Sequence, residues 1–191
     1  MSIDTFNETI RGCRLCRLCE TRTHAVCGEG NPRSGLMFVA QAPGSVEDRE
    51  GRMFLGPSGQ GFFDLLAPAG IGRGDFYMTN LLKCKLPNNR KPNRDEIITC
   101  ARYLNAEIRW ARPRVIVPLG YYATRYLFEK YVLPWPPSRE GGELFGTVRD
   151  AGECFIYPLR HPAAMLYNPV LRAEMAENYR RIGTLLTMPN G

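Results

Sequence analysis

Short apolar runs recur along the chain and have the length and composition of buried parallel strands. They lie at Leu36–Ala40, Phe76–Asn80 and Val115–Leu119. Two further segments, Phe145–Val148 and Cys154–Tyr157, predict a hairpin or a last pair of strands near the end of the chain. These runs are the candidate strands of a central sheet.

Longer segments with the spacing of amphipathic helices separate the apolar runs. They cover about 62–70, 94–110, 123–131 and 170–186. Asn93 is the expected N-cap of the second helix, and Glu96, three residues later, completes a capping box. The glycine-rich segment 41–61 and the polar, basic segment Lys83–Pro92 are predicted to be loops.

Strands that alternate with helices indicate an α/β fold with a mainly parallel sheet. We expect a three-layer α/β/α sandwich that residues 1–191 form as a single domain, with a cysteine-rich and arginine-rich N-terminal segment. In such sheets, ligands bind outside the carboxyl ends of the strands. The segments 41–44, 79–80 and 160–162 fall at those ends and are therefore the candidate binding residues.

Composition and charge narrow the class of partner. Of 191 residues, 44% are hydrophobic, which supports one packed domain. The formal net charge is +6, and the basic residues are 21 arginines and only four lysines. Arginine binds phosphate through two hydrogen bonds and stacks on bases, so this excess favours a polyanionic partner. A basic but otherwise ordinary surface is the alternative.

Seven cysteines are an odd number, which argues against a fully paired disulfide framework. The N-terminus lacks the basic and apolar regions of a signal peptide, and no apolar run approaches the length of a transmembrane helix. We therefore expect a cytoplasmic protein with no membrane partner. In a reducing compartment, clustered cysteines bind metal more often than they form disulfides.

Four cysteines form a candidate metal site. Cys13 and Cys16 are a C-x2-C pair, and Cys84 and Cys100 flank a loop that could fold back onto them. Four thiolates can hold either Zn²⁺ or an iron–sulfur cluster, and the spacing does not choose between the two. The remaining cysteines are Cys19 and Cys27, which compete as ligands, and Cys154, which suits a buried free thiol in an apolar strand.

Several motifs, in conserved order and spacing, resemble the family 4 uracil-DNA glycosylases, which carry an iron–sulfur cluster. The match runs from about residue 13 to 169. It rests on Cys13-x2-Cys16, Leu18, Arg22, Gly28-Glu29-Gly30-Asn31, Ala42-Pro43-Gly44, Glu47-Asp48, Gly51-Arg52, Phe54, Gly56, Gly59-Gln60, Thr79-Asn80, Lys83-Cys84, Pro92-Asn93-Arg94, Cys100 and His161-Pro162-Ala163.

The resemblance implies a monofunctional DNA repair glycosylase that releases uracil from single-stranded or double-stranded DNA and acts as a monomer. It also implies a structural [4Fe–4S] cluster bound by Cys13, Cys16, Cys84 and Cys100. This cluster would pin the N-terminal segment and the segment 83–99 against the sheet.

The chemistry of uracil release gives the other motif residues their expected roles. The base must be flipped out, recognised at its edge, and released as an anion. The resemblance implies that Phe54 stacks on the flipped base, that Asn80 reads its edge, and that His161 donates a hydrogen bond to uracil O2. Glu47 is expected to position water or to stabilise positive charge on the sugar. Ala42 and Gly44 are expected to approach the base through their backbone.

The chain departs from the family at its first motif, which reads Ala40-Gln41-Ala42-Pro43-Gly44 instead of Gly-Glu-Ala-Pro-Gly. Gln41 replaces the usual glutamate, and its amide is expected to bind the base and to support catalysis. Ala42 falls where the best-known branch has a catalytic aspartate, so catalysis should depend on Glu47 and His161. A related branch forms a covalent adduct through a histidine in an arginine-rich insertion. Residues 85–91 contain no histidine, so that mechanism is not expected here.

The expected DNA contacts lie around Cys84 and around His161. The phosphate-binding candidates are Lys83, Lys85, Arg90, Lys91 and Arg94. The resemblance places Arg160 in the segment that enters the minor groove. Met165 or Leu166 would fill the gap that the flipped base leaves. Two alternatives to uracil release remain at this point: a glycosylase for hypoxanthine or xanthine, and a non-catalytic nucleic-acid-binding module held together by its metal.

Overall fold

A computed structural model describes residues 3–136 and 144–186. The strands are β1 (Glu29–Gly30), β2 (Leu36–Ala40), β3 (Tyr77–Asn80), β4 (Val115–Pro118), β5 (Arg149–Asp150) and β6 (Phe155–Ile156). The helices are α1 (Ile3–Arg11), α2 (Ser45–Glu50), α3 (Pro57–Leu66), α4 (Arg94–Ala111), α5 (Tyr121–Lys130), α6 (Ala164–Tyr167), α7 (Arg172–Arg180) and α8 (Ile182–Leu185).

The six strands form one sheet in the order β1-β3-β2-β4-β6-β5. The four inner strands, β3, β2, β4 and β6, are parallel to one another. The edge strands are antiparallel to them, with β1 next to β3 and β5 next to β6. Every residue of β2, β3 and β4 is buried, which explains why these strands are continuous apolar runs in the sequence. The mainly parallel sheet is therefore confirmed.

Side chains alternate along β2 between two hydrophobic cores. Phe38 packs on the face covered by α3 and α7, together with Phe62 and Tyr179. Val39 packs on the opposite face, against residues of α4 and α5 such as Leu104 and Leu127. Helices therefore cover both faces of the sheet, as the three-layer sandwich predicted from the sequence requires.

Two predicted elements near the end of the chain are wrong. The segment Phe145–Val148 is not a strand, because Gly146 takes a left-handed conformation (φ 79°) and its N–H donates to the carbonyl of Pro158. The short edge hairpin pairs Arg149–Asp150 with Phe155–Ile156 instead. The single helix predicted over 170–186 is divided into a 3₁₀ turn, α7 and α8.

Two helices, α1 and α2, were not predicted from the sequence. The loop 41–61 contains α2, which begins after Gly44 and ends at Gly51 in a left-handed conformation (φ 69°), and it also contains the first turns of α3. The N-terminal segment forms α1, of which Ile10 is the buried anchor. In contrast, α4 begins at its expected capping box between Asn93 and Glu96. Across residues 3–136 and 144–186, the helices are too short or too polar to span a membrane.

Candidate active site

A pocket opens at the carboxyl ends of the parallel strands, where the sheet topology brings together residues that are distant in sequence. We call it the strand-end pocket. Ala40 ends β2, Asn80 ends β3, and His161 follows the bridge that joins Leu119 to Leu159 beyond β4 and β6. The lining residues are Ala40, Ala42, Pro43, Gly44, Glu47, Met53, Phe54, Ser58, Asn80 and His161.

Phe54 forms one wall and is held in a strained backbone conformation. Its φ is +53°, a left-handed value that bulky residues avoid. A Cβ atom on Gly59 would lie 2.1 Å from the carbonyl oxygen of Phe54, so only glycine permits this close approach. The Phe54 ring packs on Phe62, with ring centroids 4.6 Å apart, and lies 6.3 Å from the His161 ring at an angle of 28°. Strain of this kind is typical of functional sites.

Asn80 presents an amide inside the pocket. The residue is 2% exposed, and among the residues that the structure describes its Nδ2 donates to the thioether sulfur of Met53, at 3.2 Å. A thioether is a weak acceptor, so this contact leaves the amide largely available to a ligand. A buried amide that combines one donor and one acceptor can read the hydrogen-bonding edge of a planar base.

His161 is neutral and its tautomer is fixed. Burial lowers the pKa of His161 from 6.5 to about 4, and the nearby Glu47 carboxylate offsets only part of this effect. The backbone N–H of Ala163 donates to Nδ1 at 3.2 Å. Since Nδ1 accepts, the single ring proton must lie on Nε2. The pocket therefore contains an uncharged Nε2–H donor at neutral pH.

Glu47, on α2, uses one carboxylate oxygen to hold the loop that carries Phe54. Its Oε1 accepts from the backbone N–H groups of Leu55 and Gly56, at 2.9 Å and 2.8 Å. Its other oxygen, Oε2, lies against Gly44, where a Cβ atom would be only 2.6 Å away. Glu47 thus fixes the wall of the pocket and adds a negative charge to it.

The pocket brings together six of the seven base-binding and catalytic residues predicted from the sequence, and Gln41 is the exception. Gln41 is half-buried and its carbonyl accepts from Leu82 N–H, but it is not among the residues that line the pocket. Sequence reasoning missed Met53 and Ser58. Ser58 could have been found from Pro57, which marks the first turn of a helix next to the glycine-rich loop.

A second cavity, which we call the thiol cavity, lies between the N-terminal segment and α4. Its lining includes all four predicted ligands and one further cysteine: Cys13, Cys16, Leu18, Cys19, Arg22, Lys83, Cys84, Thr99, Cys100 and Tyr103. Cys27 and Cys154 are buried but do not line the cavity: Cys27 packs in the same hydrophobic cluster as Cys84 and Cys100, and Cys154 packs in a different cluster, with Leu104 and Leu127. The segment between Cys84 and Cys100 therefore folds back onto Cys13 and Cys16, as predicted from the sequence.

Arg22 joins the two halves of the thiol cavity. Its guanidinium donates to Cys84 Sγ at 3.0 Å and to the carbonyls of Arg11 and Cys13 at 2.9 Å and 2.8 Å. Burial raises the pKa of the Cys84 thiol, whereas the Arg22 charge and hydrogen bond favour the thiolate. Arg22 thus supplies positive charge where thiolates gather.

The other predicted ligands also have hydrogen-bonding partners. The backbone N–H of Lys83 donates to Cys100 Sγ at 3.2 Å. Burial raises the pKa of Cys16, and a hydrogen bond from the Leu18 backbone works in the opposite direction. Burial also raises the pKa of Tyr103, whose side chain is hydrogen-bonded to Cys13.

The donor set of the thiol cavity suits an iron–sulfur cluster, because four cysteine thiols from two distant segments line one cavity. Within the described ranges, no group of three or more His, Cys, Asp or Glu side chains is arranged to hold a single metal ion. N–H···S hydrogen bonds to the ligands are a common means of tuning such clusters.

Lys83 does not contact phosphate, so that prediction is wrong. Lys83 is 1% exposed, and its ammonium group forms an ion pair with Glu107 at 2.6 Å and donates to Thr79 Oγ1. The same glutamate accepts hydrogen bonds from Thr79 and Tyr77. The lysine is therefore a structural residue between the two sites.

The remaining basic candidates differ in how far they are free to bind DNA. Arg90 is paired with the buried carboxylate of Glu96, and Arg160 is paired with Glu174. Lys85, Lys91 and Arg94 have no acidic side chain within 4 Å in the part of the chain that the structure describes. Lys91 and Arg94 are exposed, and Lys85 is half-buried.

In the segment after His161, the two candidates for filling a gap in DNA, Met165 and Leu166, differ in exposure. Met165 faces inward, and its Cε would lie 2.6 Å from a Cβ atom on Gly61 of α3. Leu166 is 54% exposed, and the adjacent Tyr167 is 88% exposed. Leu166 is therefore the apolar side chain that is free to enter a duplex.

Comparison with known proteins agrees with this geometry. Residues 27–181 match the family described as the uracil DNA glycosylase superfamily. The chain is 37% identical over 190 residues to the type-4 uracil-DNA glycosylase of Sulfurisphaera tokodaii, covering 98% of this chain and 86% of that protein.

Two further relatives mark the position of the chain within the superfamily. It is 38% identical over 185 residues to the type-4 uracil-DNA glycosylase of Archaeoglobus fulgidus, covering 96% of this chain and 93% of that protein. It is 30% identical over 154 residues to the type-5 uracil-DNA glycosylase of Pyrobaculum aerophilum, covering 73% of this chain and 66% of that protein. The chain belongs to the uracil DNA glycosylase superfamily and, within it, to the type-4 uracil-DNA glycosylases.

Proposed function

We propose that the protein is a monofunctional DNA repair glycosylase that hydrolyses the N-glycosidic bond of deoxyuridine, releases uracil and leaves an abasic site. One observation carries this function: Phe54, Asn80 and the neutral Nε2–H of His161 line the same small pocket. They can provide a stacking surface, an edge reader and a donor for the leaving group. The family relatives support the same reaction.

Recognition of uracil requires a group that tells it from cytosine. In the proposed complex, Asn80 Oδ1 accepts from uracil N3–H and Nδ2 donates to O4. Cytosine presents the reverse pattern, an acceptor at N3 and a donor at position 4, and so it would leave the buried amide unpaired. Stacking against Phe54 holds the base but does not select it, since every base has a π face.

Bond cleavage leaves negative charge on uracil and positive charge on the sugar. His161 donates from Nε2 to O2 as the negative charge develops there, and it needs no protonation to do so. The Glu47 carboxylate stabilises the positive sugar, and its Oε2, which faces Gly44, orients the attacking water. Gln41 supports this arrangement through its position after β2, where its carbonyl accepts from Leu82 N–H.

The chain also supplies a cluster site and a DNA-binding surface. Cys13, Cys16, Cys84 and Cys100 would bind a [4Fe–4S] cluster, whose chemistry here is structural. Lys85, Lys91 and Arg94 contact phosphates next to it, and Leu166 fills the gap in the duplex. We propose that the single domain acts as a monomer in the cytoplasm, where the DNA is.

A substrate panel tests the proposed function. Oligonucleotides that contain uracil, cytosine, hypoxanthine or xanthine, each single-stranded and paired, are incubated with the protein, and abasic sites are detected by alkaline cleavage. We expect uracil release from single strands and from U·G and U·A pairs. Release of hypoxanthine or xanthine in place of uracil would show that the enzyme acts on another deaminated base. Binding without any abasic product would show that the protein is a non-catalytic nucleic-acid-binding module.

Asn80→Asp tests the edge reader in the same panel. The preference for uracil over cytosine should fall at least about a hundredfold, because the carboxylate removes the donor that recognises O4. Asn105→Asp is the matched control, since Asn105 accepts from the Tyr126 hydroxyl through its side-chain oxygen and lies outside the pocket. An unchanged preference in Asn80→Asp would show that another group reads the base.

A further inference from the structure

The thiol cavity contains one more cysteine than a four-iron cluster needs. Cys19 lines it together with the four expected ligands, whereas Cys27 and Cys154 do not. Cys19 is half-exposed, as are Cys13 and Cys16, while Cys84 and Cys100 are buried. The extra thiol therefore lies on the more open, N-terminal side of the cavity.

Local backbone geometry places Cys19 next to Cys16. Cys16 is the N-cap of a 3₁₀ turn over Arg17–Glu20, and the N–H of Cys19 donates to the carbonyl of Cys16 at 3.1 Å. In a 3₁₀ turn, side chains three residues apart lie on the same side of the turn. Both sulfurs can thus face the cavity from one short segment.

Two of the expected ligands have a hydrogen-bond donor at their sulfur. The Arg22 guanidinium donates to Cys84 Sγ at 3.0 Å, and the Lys83 backbone N–H donates to Cys100 Sγ at 3.2 Å. Cys16 belongs to the C-x2-C pair with Cys13 and is therefore the expected resting ligand, which leaves Cys19 as the spare thiol of the cavity.

We propose that Cys19 is a reserve ligand that takes the place of Cys16 at the cluster. The inference rests on the proposed cluster. With a cluster bound, the Cys19 thiol would give its proton to the Cys16 sulfur as that sulfur leaves its iron, and the Cys19 sulfur would then hold the position that Cys16 held. No electron is transferred, so the exchange needs no oxidant or reductant. The spare thiol lets the protein keep its cluster when Cys16 is lost or blocked.

Iron content and visible absorbance of four purified variants test this role without an activity assay. We expect the wild type, Cys19→Ala and Cys16→Ala to bind about four iron atoms per chain, and Cys16→Ala/Cys19→Ala to lose most of its iron. Alanine is used because serine oxygen can itself bind iron. Cys84→Ala is the control for a ligand without a neighbouring spare thiol, and it should lose its iron.

The outcomes separate this inference from the proposed cluster. A wild type without iron would overturn both. A wild type with iron, beside a Cys16→Ala variant as poor in iron as the double variant, would overturn only the reserve role. A Cys16→Ala chain that fails to fold while Cys19→Ala folds, judged by circular dichroism, would count as the same failure of rescue. Loss of iron in Cys19→Ala alone would make Cys19 a resting ligand and would also contradict the inference.

Discussion

The strand-end pocket and the thiol cavity lie at the two ends of one short segment, from Asn80 to Cys84, but they are built differently. The pocket is formed by the ends of buried strands, so the two hydrophobic cores fix its geometry. The thiol cavity contains no strand and joins a 3₁₀ turn to a loop and the side of α4. The pocket can therefore keep its shape without a cofactor, whereas the cavity depends on contacts between segments that are distant in sequence.

Two contacts connect these regions and limit their independence. The Asp48 carboxylate, on α2 beside Glu47, accepts from the Thr23 backbone N–H at 3.0 Å and 3.1 Å. His24 Nδ1 lies 2.9 Å from the Asp48 carbonyl. The cysteine-rich segment thus braces α2, the helix that carries Glu47. Substitutions in the pocket should spare the cluster, while loss of the cluster should weaken the pocket only through this helix.

The largest expected effect comes from Lys83, which lines the thiol cavity and is hydrogen-bonded to Thr79, next to Asn80 of the pocket. Lys83→Met leaves the Glu107 carboxylate buried without its ion-pair partner, and removal of one partner from such a pair costs about 3–5 kcal/mol of unfolding free energy. Denaturant unfolding measures the loss. Lys85→Met, which removes a half-buried and unpaired lysine two residues away, should change stability by less than about 0.5 kcal/mol. Equal, small losses in both variants would contradict the structural role of Lys83.

Gly59→Ala should damage the pocket and spare the cavity. The new Cβ would meet the Phe54 carbonyl carbon at 2.4 Å, so the Phe54 backbone must move and the stacking surface moves with it. Misplacement of about 1 Å in an active site lowers turnover by roughly a hundredfold. Iron content should remain at the wild-type level.

Gly74→Ala is the control for this substitution, because nothing lies within 4 Å of its new Cβ. Uracil release and iron content are measured on both variants. If Gly59→Ala also lost its iron, the two regions would be more tightly coupled than the contacts through Asp48 and Lys83 imply.

The pH dependence should be the smallest effect. Since burial lowers the pKa of His161 to about 4, the Nε2–H donor stays neutral across pH 5.5–8, and turnover should show no His161 inflection near 6.5. As pH falls, His161 takes up its proton in the unfolded chain at pH values where it is still neutral in the folded chain, because its folded pKa is the lower one. The contribution of neutral His161 to stability is therefore full above pH 6.5 and is lost as pH falls towards 4. Single-turnover rates from pH 5 to 8 measure the first effect, and an acid limb near 6.5 that disappears in His161→Gln would contradict it.

The sequence predicted the parts of the fold whose signals are local or continuous. The strands β2, β3 and β4 were predicted to within one residue, because strands buried on both faces are unbroken apolar runs. Helix α4 begins where its capping box predicted. Most of the pocket was predictable as well, since parallel strands bring their carboxyl ends to one edge.

Long-range pairing explains what the sequence could not predict. Lys83 looks like a surface lysine in a basic loop, and only the folded chain brings it to Glu107, which lies 24 residues away on α4. The position of Gln41 outside the pocket depends on how the chain turns after β2. The hairpin beyond Phe145 shifted because one glycine turns the backbone before the strand begins.

The proposed reaction depends most on His161 as a neutral donor to the departing uracil. The most direct test is the single-turnover rate of uracil release by the wild type, His161→Ala and His24→Ala, together with the affinity of each for the uracil oligonucleotide. His24 is the control histidine, because it lies outside the pocket and its loss removes only one brace of α2, the contact with the Asp48 carbonyl. We predict that His161→Ala lowers the rate by about 10²–10³-fold and leaves affinity within about twofold, while His24→Ala lowers the rate by less than about tenfold. An unchanged rate in His161→Ala would contradict the role of His161 as the donor to the leaving group.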